Sequence, residues 1–283
     1  MGLNHTGTKL LLYAKKQGVN FSKTATIGRQ GLHLHESILK KNLDEYGYKD
    51  VNCSELLKSN NGFAEPFLQL LGAKETDSVD ASTYEAATLI HDMNLPLPDI
   101  HKNKYDAVID GGSLEHIFNF PTAIKNCMEM LKPGGHFLSI TPTNNFWGHG
   151  FYQFNPELFF RVLSPDNGFK VEKILVYVDQ TDSNWYEVPD PKEIKRRLIM
   201  SNRYPSSLFV MAKKTANVPL FTNTPQQSDY QHISWKKEGD ISLLKQNQRK
   251  ITLAVKFSNF FKQLQSLKSD IGDADTDFIK KVN

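Results

Sequence analysis

The apolar positions change period along the chain. Over 7–18 they recur at helical spacing, Leu10, Leu11, Leu12 and Ala14 standing against Lys9, Lys15 and Lys16, and Gly18 marks the end. Thr24-Ala25-Thr26-Ile27 reads as a short strand running into Gly28-Arg29-Gln30-Gly31. A helix is expected over about 36–46, an irregular stretch over 47–63, and a helix with one buried face over 64–71. Thr76–Val79 predicts a second strand ending at Asp80, Ser82–Ala87 a helical turn, and Thr88–Asp92 a third strand. The clearest strand is Tyr105–Asp110, which leads through Gly111-Gly112-Ser113 to a helix over about 120–131 with Ala123, Ile124, Cys127, Met130 and Leu131 on its apolar side. Lys132-Pro133-Gly134-Gly135 stops that helix. His136–Ile140 is the next strand and 156–163 a helix; Val171–Val178 and Ser207–Ala212 are the last two strands, separated by a charged helix at about 190–199.

Strands alternating with helices imply an α/β fold with a mostly parallel sheet covered on both faces. The expectation is a Rossmann-like sheet of seven strands with the last one reversed, the short 190–199 segment allowing a hairpin-like antiparallel edge. Ligands of such sheets lie outside the carboxyl ends of the strands. Chemistry is therefore sought at Gly28, Asp80, Asp92, Asp110 and the residues after Ile140.

Charge distribution divides the chain. Of 283 residues, 34 are Lys or Arg and 31 Asp or Glu. Residues 1–215 hold 24 of each sign, leaving 10 basic and 7 acidic in 216–283, so the net +3 belongs to the tail. Thr215 to Ser228 is polar and proline-punctuated, as linkers are, which sets the expected units at 1–215 and 216–283. Within the tail, 241–269 reads as a basic amphipathic helical extension, with Leu244, Ile251, Val255, Phe257 and Phe260 against Lys245, Arg249, Lys250, Lys256 and Lys262. It suits a partner, an anionic membrane surface, a second copy of the chain in a homodimer, or the body itself. No aromatic-plus-basic patch in the body favours nucleic acid. The two cysteines, Cys53 and Cys127, are too far apart for a thiolate zinc site, and no metal ligand is assigned. With no signal peptide and no apolar run long enough to span a bilayer, a cytoplasmic protein is expected.

The strand ends each admit a functional and a plain reading. Gly28-Arg29-Gln30-Gly31 lacks the G-x-G-x-x-G fingerprint, which argues against a nicotinamide oxidoreductase or a sugar epimerase; an ordinary strand-to-helix turn also accounts for it. Asp80 can accept two hydrogen bonds from a ribose diol, or cap a helix. Asp92 can accept from an adenine amine with Met93 against the ring, or be a solvated loop acid. Glu115 and His116 follow Asp110 and two glycines, and an adjacent acid and imidazole can do acid/base work or cap the following helix. Thr141 to Phe154 mixes aromatics, glycines and amides, the composition of a wall that stacks on a ring and reads hydroxyls. Asn144, Asn145, Trp147, Tyr152 and Gln153 are its candidate substrate contacts; an aromatic loop packed on the core is the alternative.

Tyr105–Asn145 resembles the second half of a class I S-adenosylmethionine-dependent methyltransferase. The residues that carry the likeness are Tyr105-Asp106, Ser113-Leu114-Glu115-His116-Ile117, Met130-Leu131-Lys132-Pro133-Gly134-Gly135 and Thr141-Pro142-Thr143-Asn144. The resemblance extends over 1–215 and not over the tail. It departs at the first strand, where Gly28-Arg29-Gln30-Gly31 stands in place of a glycine-rich loop. With Gly148 to Phe154, that loop is similar to a smaller bacterial branch associated with surface polysaccharides and capsules. The resemblance implies S-adenosylmethionine as cofactor, with contacts at Gly28, Arg29, Gln30, Asp80, Asp92, Met93, Asp110 and Gly111, Arg29 being suited to the cofactor carboxylate. It implies methylation of a small polar acceptor, a sugar, nucleotide-sugar, phosphoryl or phosphoramidate group. A hydroxyl acceptor must lose a proton, for which His149 is the first candidate base, then His116, with Glu115 beside it. A non-catalytic scaffold on the same fold is the competing expectation.

Overall fold

The computed structural model describes residues 2–195, 198–228, 273–274 and 280–282. Nine strands form its main sheet: β1 (Lys23–Ile27), β2 (Glu75–Asp80), β3 (Leu89–Ile90), β4 (Tyr105–Gly111), β5 (Leu131–Asn144), β6 (Phe169–Val178), β7 (Trp185–Glu187), β8 (Ser206–Lys214) and β9 (Lys280–Lys281). Their spatial order is β9-β7-β6-β8-β5-β4-β1-β2-β3. Strands β1 to β5 pair in parallel, and β8 runs antiparallel to both β5 and β6.

The expected α/β sheet with a reversed strand is present, but the reversed strand is interior and not an edge. Leu208, Val210 and Ala212 face one core cluster while Phe209 and Met211 face the other, so β8 is apolar on both sides, as a central strand must be. The antiparallel edge is formed by the short β7 and β9. Helices α1 (His5–Lys16), α2 (Glu36–Glu45), α3 (Cys53–Lys58) and α4 (Glu65–Leu70) cover one face; α5 (Phe120–Met130) and α6 (Pro156–Val162) cover the other. Asn4 caps α1 by accepting from the Gly7 N–H at 2.8 Å, and Gly18 closes it at φ +94°.

Four expectations are corrected. The 47–63 stretch contains α3, capped by Asn52. Over 82–87 a single turn forms, the Ala86 N–H donating to the Thr83 carbonyl at 2.9 Å, but Ala86 is left-handed at φ +53° and the turn is not helical. The third strand shrinks to Leu89–Ile90. The charged helix at 190–199 is only α7 (Pro191–Ile194), ended by Lys195 in the left-handed region at φ +55°. The amphipathic helix expected over 241–269 lies outside the described residues. The described parts of the tail return to the body: the Phe221 N–H donates to Asn167 at 2.8 Å, the Ser228 N–H to Glu157 at 2.8 Å, and β9 extends the sheet. Among the described residues, no helix is long and apolar enough to cross a membrane.

Candidate active site

Strands β1, β4 and β5 end beside one another, and the turns that leave them build the site. Gly28 takes φ +70° as the chain leaves β1. Gln30 then folds back under the strand ends, 2 % exposed, its amide Nε2 donating to the Ile27 carbonyl at 2.7 Å. Its Oε1 is buried and has no partner among the described residues. Arg29 turns the other way. It pairs with Glu65 at 2.7 Å, donates to the Glu85 carbonyl at 2.9 Å and stacks on Phe63 at 3.9 Å, so it clamps the loops flanking the cleft instead of reaching into it.

The exit from β4 is held from within. The Asp110 carboxylate, fully buried, accepts from the Ser113 and Leu114 N–H groups at 2.9 and 3.1 Å and from the Ser139 hydroxyl at 2.7 Å. Ser113 in turn donates to the Ile27 carbonyl at 2.5 Å, tying this turn to β1. Asp110 is thus occupied in shaping the loop. Burial pushes its carboxyl up, although its three donors act in the opposite sense.

That turn carries Glu115 into a cleft of about 360 Å³ lined by Asn4, Gly111, Gly112, His116, Thr141, Phe146, His149, Tyr177 and Ser207, among others. Glu115 is 1 % exposed; its Oε2 accepts from Thr141 at 3.3 Å and its Oε1 lies 3.5 Å from His149 Nε2. Burial and the Asp110 charge both push its carboxyl up. The His149 ring stands edge-on to His116 with centroids 4.8 Å apart, and burial and His149 push the His116 imidazole down. The chain comes back to this point because the Phe151 N–H donates to the Glu115 carbonyl at 2.7 Å, with Gly150 at φ +66° packed on that backbone. The three candidate acid/base residues therefore converge, although His149 is far from the others in sequence.

The remaining candidates separate. Asp80 ends β2 with Oδ1 accepting from the Ser82 N–H at 2.8 Å. Asp92 is exposed and accepts from the Asn94 N–H and side-chain amide at 2.9 and 2.8 Å, which hold its carboxyl below the usual range. Met93 is a core residue, packed beside the buried Asn126. Asn126, not anticipated from the sequence, donates to the Leu95 carbonyl and accepts from the Leu97 N–H, fixing the loop after β3; a polar residue on the apolar face of α5 was its only signal. Asn144 and Asn145 bond to Asn202, and Asn145 also to the Tyr204 carbonyl, tying the loop after β5 to the start of β8. Tyr152 donates to the Phe118 carbonyl and Gln153 accepts from the Phe146 N–H. Trp147 alone of the five candidate substrate contacts projects freely, 94 % exposed.

Residues 66–139 match the family model described as a methyltransferase domain. The matched span carries Asp80, Asp92, Asp110, Glu115 and His116. No curated protein matches the chain. Among solved structures, the chain is similar to a SAM-dependent methyltransferase of Thermotoga maritima (14 % identity over 75 % of this chain and 91 % of that one, TM-score 0.40). It is also similar to the 1,6-didemethyltoxoflavin-N1-methyltransferase of Burkholderia thailandensis (12 %, 75 % and 78 %, 0.41) and to a SAM-dependent methyltransferase of Aquifex aeolicus (12 %, 72 % and 88 %, 0.34). The segment 66–139 is thus similar to a methyltransferase domain.

Proposed function

We propose that the chain transfers the methyl group of S-adenosylmethionine to an oxygen of a small polar acceptor, such as a sugar, nucleotide-sugar or phosphoryl group, as in the making of surface polysaccharides. The observation that carries this reading is the convergence of Glu115, His116 and His149 in a cleft at the ends of β4 and β5.

The chain's own groups suit the cofactor. The unpartnered Gln30 Oε1 offers an acceptor to an ammonium group, Gly28 turns the chain away from the end of β1 at φ +70°, and Asp80 and Asp92 offer carboxylates at the ends of β2 and β3. Two buried carboxylates, Asp110 and Glu115, with no Lys or Arg partner among the described residues, favour a cationic ligand. When bound, S-adenosylmethionine supplies an electrophilic methyl group on a sulfonium. The protein's part is alignment and proton removal. Asn4, Tyr177 and Ser207 line the same cleft. His149, half exposed and facing Glu115, takes the hydroxyl proton, and the Glu115 carboxylate stabilises the imidazolium so formed.

Calorimetric titration with S-adenosylhomocysteine tests the cofactor half, and absence of saturation at millimolar ligand refutes it. Turnover with a panel of sugars, nucleotide-sugars and phosphoryl compounds tests the acceptor half. His149→Ala is expected to keep S-adenosylhomocysteine binding and lose turnover by about a hundredfold or more; unchanged turnover removes His149 from the chemistry.

A further inference from the structure

Glu115, His116 and His149 each offer one ligand atom, and these atoms all lie within 4.8 Å of one another, the carboxylate buried and the imidazoles exposed to the cleft. The 3.5 Å between Glu115 Oε1 and His149 Nε2 is long for a hydrogen bond. It is close to the edge of about 3.4 Å that bonds of 2.0–2.1 Å set in a tetrahedron. The carboxylate is oriented as ligating carboxylates are, its other oxygen accepting from Thr141 at 3.3 Å. Glycines let the chain close around it: a Cβ on Gly112 would sit 3.2 Å from Glu115 Oε1, and one on Gly150 would sit 2.8 Å from the Glu115 carbonyl oxygen.

Charge points the same way. Glu115 and the neighbouring Asp110 are both buried, and among the described residues no Lys or Arg pairs with either. A cationic cofactor would ease the burial of two acids without needing imidazoles, whereas two imidazoles within reach of the same carboxylate can ligate a metal. We propose that Glu115, His116 and His149 form the binding site of one divalent transition-metal cation of the zinc type. Two nitrogens and one oxygen favour such an ion over magnesium or calcium, which prefer all-oxygen shells. Three protein ligands leave a fourth position facing the cleft, as zinc sites that act on a substrate do. This deepens the function proposed above and rests on it for the occupant of that position, the acceptor oxygen. Were the ion bound, it would supply Lewis-acid activation of the acceptor hydroxyl, and His149 would hold the ion and would not itself take the proton as in the metal-free reading above.

The test uses the full chain, stripped with chelator and titrated with Zn²⁺ by calorimetry and with Co²⁺ by visible absorption. One saturable ion per chain is expected, with cobalt bands that report nitrogen ligation. His149→Ala and His116→Ala, both changes of exposed rings, should each weaken Zn²⁺ by about tenfold or more. His101→Ala, at the opposite end of β4, should leave binding unchanged. Absence of saturable binding overturns the site, as does binding unaltered in both ring variants. Titrating S-adenosylhomocysteine into the same samples separates the two claims. If it binds where Zn²⁺ does not, the cation site fails alone; if Zn²⁺ binds where it does not, the methyltransferase reading fails alone.

Discussion

Gly111→Ala probes how Gln30 is held beneath the strand ends. Gly111 has no left-handed backbone requirement, so an alanine there meets packing alone. Its Cβ would stand 2.4 Å from Gln30 Oε1 and 2.9 Å from Gln30 Cδ. The amide cannot yield easily, because it is buried and bonded to the Ile27 carbonyl at 2.7 Å. Overpacking costs about 1–3 kcal/mol and the lost hydrogen bond about 1 kcal/mol, so Gly111→Ala should destabilise by about 2–4 kcal/mol. In a Gln30→Ala background the new methyl enters space the amide has left, and the cost should fall to about zero, helped by the smaller unfolded-state entropy of alanine. The difference is a coupling of about 2–4 kcal/mol, at or beyond the upper end for residues in contact. Urea unfolding of the four proteins, followed by far-UV circular dichroism, measures it. An equal cost of Gly111→Ala in both backgrounds refutes the account, and so does a cost below about 0.5 kcal/mol with Gln30 present.

Arg29→Ala should lower stability by about 2 kcal/mol, since the ion pair with Glu65 is partly buried and the guanidinium also stacks on Phe63; Arg29→Lys should restore less than half in urea titrations, because an ammonium lacks the fork that reaches both Glu65 and the Glu85 carbonyl. Burial pushes the Asp110 carboxyl from 3.8 up to about 6, so between those values the folded state binds more protons than the unfolded state. This group's contribution is therefore fully present below about pH 4 and is lost as pH rises to about 6, at up to roughly 1.4 kcal/mol per pH unit; the Asp110→Asn profile should lack that fall, and an unchanged slope refutes the assignment. Gly150→Ala combines a strained φ of +66° with a Cβ 2.8 Å from the Glu115 carbonyl oxygen. It should cost at least about 1 kcal/mol, and it should move the His149 ring resonances in NMR spectra, whereas Gly148→Ala, where a Cβ meets nothing within 4 Å, should do neither.

Legibility followed distance along the chain. The turn from Ile109 to His116 was readable because one strand and the loop leaving it place every member. The alternation of strands and helices was readable because burial imposes a period on each element. His149 reaches Glu115 through a backbone bond from Phe151, and Arg29 reaches Glu65 across the end of β1; neither pairing leaves a local pattern. Asp110 shows a different limit. An acid at a strand end looks the same whether it faces a ligand or caps the next turn, and only the donors at Ser113, Leu114 and Ser139 decide between them.

The interior position of β8 was, by contrast, written in the sequence. Leu208-Phe209-Val210-Met211-Ala212 has no polar alternation, which an edge strand with one solvated face would need. The expected hairpin-like antiparallel edge left open where the reversed strand lies, which is between β5 and β6. The placement matters for the site, because β8 enters the sheet at Ser206 and Ser207, and Ser207 lines the cleft beside Tyr177 and Thr141. An antiparallel strand begins where its parallel neighbours end. Inserting β8 between β5 and β6 therefore delivers its first residues to the same rim as the carboxyl ends of β4 and β5, so this strand supplies a wall of the cleft.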